Sequence, residues 1–342
     1  MNNLYTTAAI TVVAVIVIST FAGLYIYDPK AIGLGSSSTS CTGQSDLAPT
    51  AITTTVSTIT TPPPQPAPNA IKVVAAENFW GSLVSQLGGN RTSVTSIITD
   101  PNTDPHEYES NAADGVAIAS ASFVIVNGQG YDQWAIDEYE ADHLPNATLL
   151  NVQTLLGLPT GDNPHMWYNP YYVNDTVHAM YEDLVKIDPS QASYYYSNYQ
   201  AMNESLAGPN SYMALEAQIK AQYAGTPVAS TESIFVWMAN ATGLDLVSPP
   251  LFIEAVAAGN DPPTESIATF QTQLENGSAK VLVYNIQTVT PLTECMLEIA
   301  GARDIPIVRI SETIQPPDIT FQQWMLGEVA FLDNALNPNL GQ

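Results

Sequence analysis

The chain reads as an α/β protein of two lobes, each a parallel sheet flanked by helices, joined by one long bridging helix. Three observations predict this. From Ile71 onward, short runs rich in β-branched residues alternate with helical periodicity, and repeated βα units imply parallel sheets with helices on both faces. The alternation stops between Pro189 and Tyr223, where a long helical stretch follows the Asp188-Pro189 start signal, and then resumes. At 342 residues the chain is long enough for two such cores.

Ahead of the first strand lie two segments of another kind. Leu4 to Tyr27 is 24 residues without a charge, enough for a tilted spanning helix. With no positive n-region and a long apolar core, residues 1–30 read as an uncleaved anchor rather than a signal peptide. Ser38-Thr-Ser-Cys41 does not make a lipidation site, because Ser38 stands where an aliphatic residue belongs and Asp28 and Lys30 separate it from the apolar run. Residues 31–69 are rich in Ser, Thr and Pro and poor in large apolar residues, which describes a disordered, semi-rigid stalk.

In the body, Ile71-Lys-Val-Val-Ala-Ala76 is the first strand, followed by a helix from Phe79 to Leu87 that Gly88-Gly89 closes. Strand 93–99, helix 111–121, strand 122–126, helix 131–142, strand 147–152 and helix 171–186 complete a first lobe over 70–187. The bridging helix takes 188–224, although Gly208-Pro209 interrupts it, and an interior proline costs about 3 kcal/mol or forces a kink. A second lobe over 225–342 follows. Its strands are 227–231, 244–247, 280–284 and 305–310; its helices are 232–242, 264–276, 290–300 and 321–336.

Composition narrows the function. The net charge is −25, from 33 acidic and only 8 basic residues, so no basic patch exists to neutralise phosphates and nucleic acid is excluded as a partner. Only 12% of residues are charged; it is the cations that are missing. Such a surface sheds most of its charge once carboxylates protonate near pH 4, which fits an extracellular protein of an acidic habitat. Asn90, Asn146, Asn174, Asn203, Asn240 and Asn276 begin N-x-Ser/Thr sequons, which on an exported chain predict glycosylation. Cys41 and Cys295 are the only cysteines and read as unpaired thiols, with a bridge from stalk to body as the alternative.

Two of the four histidines sit in loops of one design: a strand, a proline-bounded turn, one His, then an aromatic residue. These are Thr103-Asp-Pro-His-Glu-Tyr-Glu109 and Asn163-Pro-His-Met-Trp-Tyr-Asn-Pro170. Neutral imidazole is the commonest metal ligand, but one His per loop has no chelating neighbour in sequence. In open α/β sheets ligands bind beyond the carboxyl ends of strands. His106, His165, Glu232 and Glu312 each follow a predicted strand, two in each half, so a cleft between the lobes can collect all four.

From about Ile71 to Leu336 the chain resembles the metal-binding solute receptors of ABC importers, the family that captures zinc, manganese or iron. The motifs are Asp104-Pro-His-Glu-Tyr-Glu109, Val126-Asn-Gly-Gln-Gly-Tyr-Asp-Gln-Trp134, His165-Met-Trp-Tyr-Asn-Pro170, Asp261-Pro-Pro-Thr-Glu265 and the segment around Asn285-Ile-Gln287. The resemblance implies a metal site between two lobes, with His106 and His165 as imidazole ligands. It places Glu232 where the family has His or Glu, and Glu312 where it has an acidic ligand. Two carboxylates with room for bidentate binding favour Mn²⁺ or Fe²⁺, whereas affinity order alone favours Zn²⁺. The implied cargo is a divalent ion (Mn²⁺, Zn²⁺ or Fe²⁺), and the implied partners are an ABC permease and its ATPase, with a monomeric receptor and no catalytic residue. Asn169 and Asn285 depart from the family pattern, each replacing an acid. They leave a second reading open, a surface adhesin or envelope protein that kept the fold and lost the metal. A metal-dependent hydrolase is disfavoured, since there is no HExxH and no paired general base. His143 and His178 read as structural or exposed.

Overall fold

The computed structural model of the chain describes residues 66–142 and 147–337. The expected anchor and nearly all of the stalk, together with Cys41, His143 and Asn146, lie outside them. Among the described residues no helix is long and apolar enough to cross a membrane.

The first sheet is built from β1 (Ile71–Glu77), β2 (Thr92–Ile98), β3 (Phe123–Val126) and β4 (Thr148–Asn151), in spatial order β2-β1-β3-β4. Every pairing is parallel. Its helices are α1 (Asn78–Gly88), α2 (Ala112–Ala119), α3 (Gln133–Ala141), α4 (Val152–Leu156) and α5 (Pro170–Ile187). β3 is buried along its whole length, as a central strand covered on both faces must be.

Next come α6 (Ala192–Ala207) and α7 (Tyr212–Tyr223), which lead to β5 (Pro227–Ser230), α8 (Val236–Thr242), β6 (Asp245–Leu246) and α9 (Pro250–Ala257). The chain ends with α10 (Thr264–Glu275), β7 (Leu282–Asn285), α11 (Pro291–Ala302), β8 (Ile307–Ile310) and α12 (Phe321–Leu336). The second sheet is again all parallel, in order β6-β5-β7-β8. This is the strand order of the first sheet repeated.

The expected single bridging helix is two helices. At Gly208 the backbone turns extended (φ −67°, ψ 173°), and a side chain there would collide with the Glu204 carbonyl. Pro209 has no N–H to continue the ladder, and Ser211 starts α7 afresh by accepting from Ala214 N. Breaking the helix leaves the lobes joined by packing. One apolar cluster runs from Val73 and Phe79 in the first lobe through Met180, Leu206 and Ile219 to Val283 and Val329 in the second.

The short helices α4 and α9 were not expected. α4 is capped by Asn151 and stopped by Gly157 in the left-handed region. α9 starts at a proline and packs Phe252 against Phe270 of α10. Cys295, on α11, is disulfide-bonded, against the expectation of an unpaired thiol; sequence separation carries no information about proximity. Of the sequon asparagines described, Asn240 and Asn276 are exposed and Asn90, Asn174 and Asn203 half-buried.

Candidate metal centre

His106 and His165 leave the first sheet after β2 and β4. Asp104 Oδ1 accepts from His106 N at 2.9 Å and Pro105 opens a single 3₁₀ turn, so the loop is rigid at the histidine. On the other loop Asn163 Oδ1 accepts from His165 N at 3.0 Å and pairs with His165 Nδ1 at 2.8 Å. With Nδ1 donating to an oxygen acceptor, His165 Nε2 keeps its lone pair for another partner. Asn169 caps α5 through Tyr171 N and Tyr172 N, a task in which Asn equals Asp, so the lost charge there has a structural account.

Glu232 and Glu312 leave the second sheet after β5 and β8. Glu232 is extended and accepts from Ile234 N at 2.9 Å, capping a 3₁₀ turn rather than beginning a full helix. Glu312 is held by its backbone, because Gln287 Oε1 accepts from Glu312 N at 2.8 Å and Thr313 N at 3.0 Å. The same Gln287 donates to Thr103 O at 2.8 Å, tying the His106 loop to the Glu312 loop across the lobes. Asn163 does likewise for the other pair, donating to Ser233 O at 2.7 Å.

The four expected residues meet unequally. His106, His165 and Glu312 form the tight group, with one donor atom from each within 4.8 Å of the others. The two Nε2 atoms are 3.2 Å apart, and Glu312 Oε2 lies 3.4 Å from His106 and 3.8 Å from His165. Glu232 is looser, its Oε1 3.9 Å from His165 Nε2. The separations among His106, His165 and Glu312 suit donors arranged about 2.0–2.2 Å from a common ion, and Glu232 stands outside that group. The side chains of His165, Glu232 and Glu312 are fully buried and that of His106 is 19% exposed, so access runs past His106.

The two carboxyls are driven apart. Burial would push Glu312 up, yet the charge of His106, the hydrogen bond and charge of His165 and the Tyr131 hydroxyl outweigh it and hold the group at about 2. Burial, followed by repulsion from Glu312, pushes Glu232 up to about 8. Two imidazoles and two buried carboxyls are donor types that a divalent transition-metal ion takes.

Three contributors were missed from sequence. Tyr131 donates to Glu312 Oε2 at 2.6 Å, Asn163 orients His165, and Asn285 donates to both glutamates. Tyr131 and Asn285 fell within quoted motifs, but nothing local marks which atom they reach. His178 is exposed on α5 beside Tyr181 and Tyr199 and takes no part.

Comparison with known proteins agrees with this geometry. The family described as zinc-uptake complex component A, periplasmic (ZnuA), matches residues 73–335. A manganese-binding lipoprotein, MntA of Halalkalibacterium halodurans, is 28% identical over 187 residues, 52% of this chain and 59% of that protein. The iron-binding protein YfeA of Yersinia pestis is 25% identical over 191 residues, 53% of this chain and 59% of that protein. Each match thus spans a little over half of the relative's length. Among solved structures, the periplasmic zinc-binding protein TroA from Treponema pallidum superposes with a TM-score of 0.65 at 17% identity, covering 78% of this chain and 99% of that one. At that identity the likeness concerns the fold.

Proposed function

The chain belongs to the ZnuA family of metal-binding solute receptors, and from that membership we propose that it captures one divalent transition-metal ion between its lobes and delivers it to an ABC permease. The ligands are His106 and His165 from the first lobe and Glu232 and Glu312 from the second. The observation that carries this reading is the meeting of His106, His165 and Glu312 donor atoms within 4.8 Å, with Glu232 next to His165, in a largely buried setting. Buried charge of this kind persists where it is paired or coordinates a metal.

The body stands on the extracellular face, held by the N-terminal apolar segment through the Ser/Thr/Pro-rich stalk, and is glycosylated at exposed sequons. It works as a monomer with the permease and its ATPase as partners. The ion is cargo, so no residue has a catalytic role. Relatives named for manganese, iron and zinc leave the choice of ion to the details of the site.

The test is a titration of metal-free protein with Zn²⁺, Mn²⁺ and Fe²⁺, beside a His106→Ala/His165→Ala double variant. One tightly held ion per chain, lost in the variant, is the expected result. Absence of binding to the unaltered protein moves it to the adhesin or envelope class.

A further inference from the structure

The choice of ion rests on the receptor reading above and on one residue that touches both glutamates. The strand order β6-β5-β7-β8 puts β7 between the strands that deliver Glu232 and Glu312. The last residue of β7 is Asn285, fully buried. Its Oδ1 accepts from Gln287 N at 3.0 Å, which turns the Nδ2 amide toward the carboxylates. Nδ2 donates to Glu312 Oε1 at 2.7 Å and to Glu232 Oε1 at 3.2 Å, with Thr288 Oγ1 at 3.0 Å beside them.

Counting lone pairs shows what this does. A carboxylate has about four acceptor positions, two on each oxygen. Glu312 Oε1 receives Asn285 and the Thr288 hydroxyl (3.2 Å), while its Oε2 accepts from Tyr131 at 2.6 Å and faces the histidines with its other lone pair. Glu232 Oε1, the oxygen 3.9 Å from His165 Nε2, already receives Ile234 N and Asn285, so an ion has to take the buried Oε2, which has no hydrogen-bond partner. In each glutamate the protein therefore fills both acceptor positions of Oε1 and leaves at least one on Oε2.

We propose that Asn285 is the specificity-determining residue of the site. By occupying one oxygen of each glutamate it enforces single-oxygen binding and makes a four-coordinate cage of two nitrogens and two oxygens, which favours Zn²⁺ over Mn²⁺. Zinc takes tetrahedral nitrogen and oxygen sites without penalty, whereas Mn²⁺ suits six oxygen-rich positions. To reach six here, Mn²⁺ would need a second oxygen from each glutamate, or water arriving past His106, the one partly exposed ligand. Considered without the amide, two glutamates argue the other way, as hard donors able to chelate. The hydrogen bonds that fill Oε1 of each remove that option.

Co²⁺ tests this directly, because four-coordinate Co²⁺ has intense visible bands and six-coordinate Co²⁺ weak ones. Metal-free protein loaded with Co²⁺ is expected to show the intense spectrum. Asn285→Ala should weaken the bands and reduce the Zn²⁺-over-Mn²⁺ preference about tenfold, the scale of one hydrogen bond to a charged acceptor. Thr288→Val, which removes a donor from Glu312 alone, should shift both readouts the same way by less and serves where the alanine variant does not fold. A weak, six-coordinate spectrum in the unaltered protein overturns the proposal and leaves the receptor standing. So does an Asn285→Ala variant that binds every metal equally more weakly with an unchanged spectrum. Failure to bind Co²⁺, Zn²⁺ or Mn²⁺ at all overturns the receptor reading itself.

Discussion

Glu77 and Glu232 occupy equivalent places in the two lobes. In the first sheet the Ala75–Ile125 pairing puts Glu77 level with Asn127, two residues further along β1 and past the end of β3. In the second, the Ser230–Val283 pairing puts Glu232 level with Asn285 in the same way. Both glutamates stand at the N-cap position of the helical turn that follows and both are fully buried, but only Glu232 accepts a capping hydrogen bond. Their neighbours differ. Asn127 donates to Pro164 O and accepts from Trp80 Nε1, fastening the His165 loop, while Asn285 donates to the glutamates. Glu77 stands beside Asp132; burial first and that second acid next push its carboxyl well above the ordinary range, so it is a neutral acid. Glu232 faces an imidazole instead. One architecture thus yields a structural acid in one lobe and a candidate ligand in the other, and what faces the strand end decides which.

The sharpest way to break the comparison is to change both glutamates alike. Glu232→Gln should cost on the order of a few hundredfold in Zn²⁺ affinity, a quarter of the roughly 10–16 kcal/mol with which four ligands hold zinc. Glu77→Gln should leave that affinity within about threefold, since an amide replaces a carboxyl that is already neutral. Equal losses, measured by competition with a chelating dye, would erase the distinction drawn between the lobes.

A third buried acid isolates what burial alone does. Glu216 on α7 has neither carboxyl oxygen hydrogen-bonded, and desolvation pushes it up to about 8. Because the folded value exceeds the unfolded one near 4.5, its contribution to stability is whole below pH 4.5 and is lost as pH rises toward 8. Glu216→Gln should therefore stabilise by about 3 kcal/mol at pH 7 and by almost nothing at pH 4, read from urea melts at both. Glu77→Gln should shift stability with the same sign. A gain in acid, or none at neutral pH, would contradict the account of these acids.

The smallest effect belongs to Asn127→Ala. It strands the buried Trp80 N–H and the Pro164 carbonyl, for a loss of about 2 kcal/mol in stability. Any drop in metal affinity should be the same for Zn²⁺ and Mn²⁺, in contrast to Asn285→Ala. A change in their ratio would mean that support of the His165 loop, and not only the glutamate clamp, sets selectivity.

Much of the fold was legible because alternating βα signals are local, and most strand and helix ends lie within two or three residues of their expected positions. Helix α12 matches its expected span, and Gly208-Pro209 marked the break in the connector. The short helices were not legible. Val152–Leu156 is too brief to show a period, and in Pro250–Ala257 Glu254 is the one polar residue while Leu251 is exposed, so hydrophobicity does not mark its buried face. The site was legible only as far as ligand types in motifs. The Tyr131–Glu312 bond joins residues 181 apart and the Asn285–Glu232 bond residues 53 apart, and no local pattern announces such partners.

The central claim is that His106, His165, Glu232 and Glu312 hold one metal ion together. Anomalous diffraction at the zinc edge, from crystals of the protein grown with Zn²⁺, tests it most directly. The account predicts a single strong peak about 2.0–2.2 Å from both Nε2 atoms and from one oxygen of each glutamate. A peak elsewhere, or no peak in crystals shown to contain the folded protein, would contradict it.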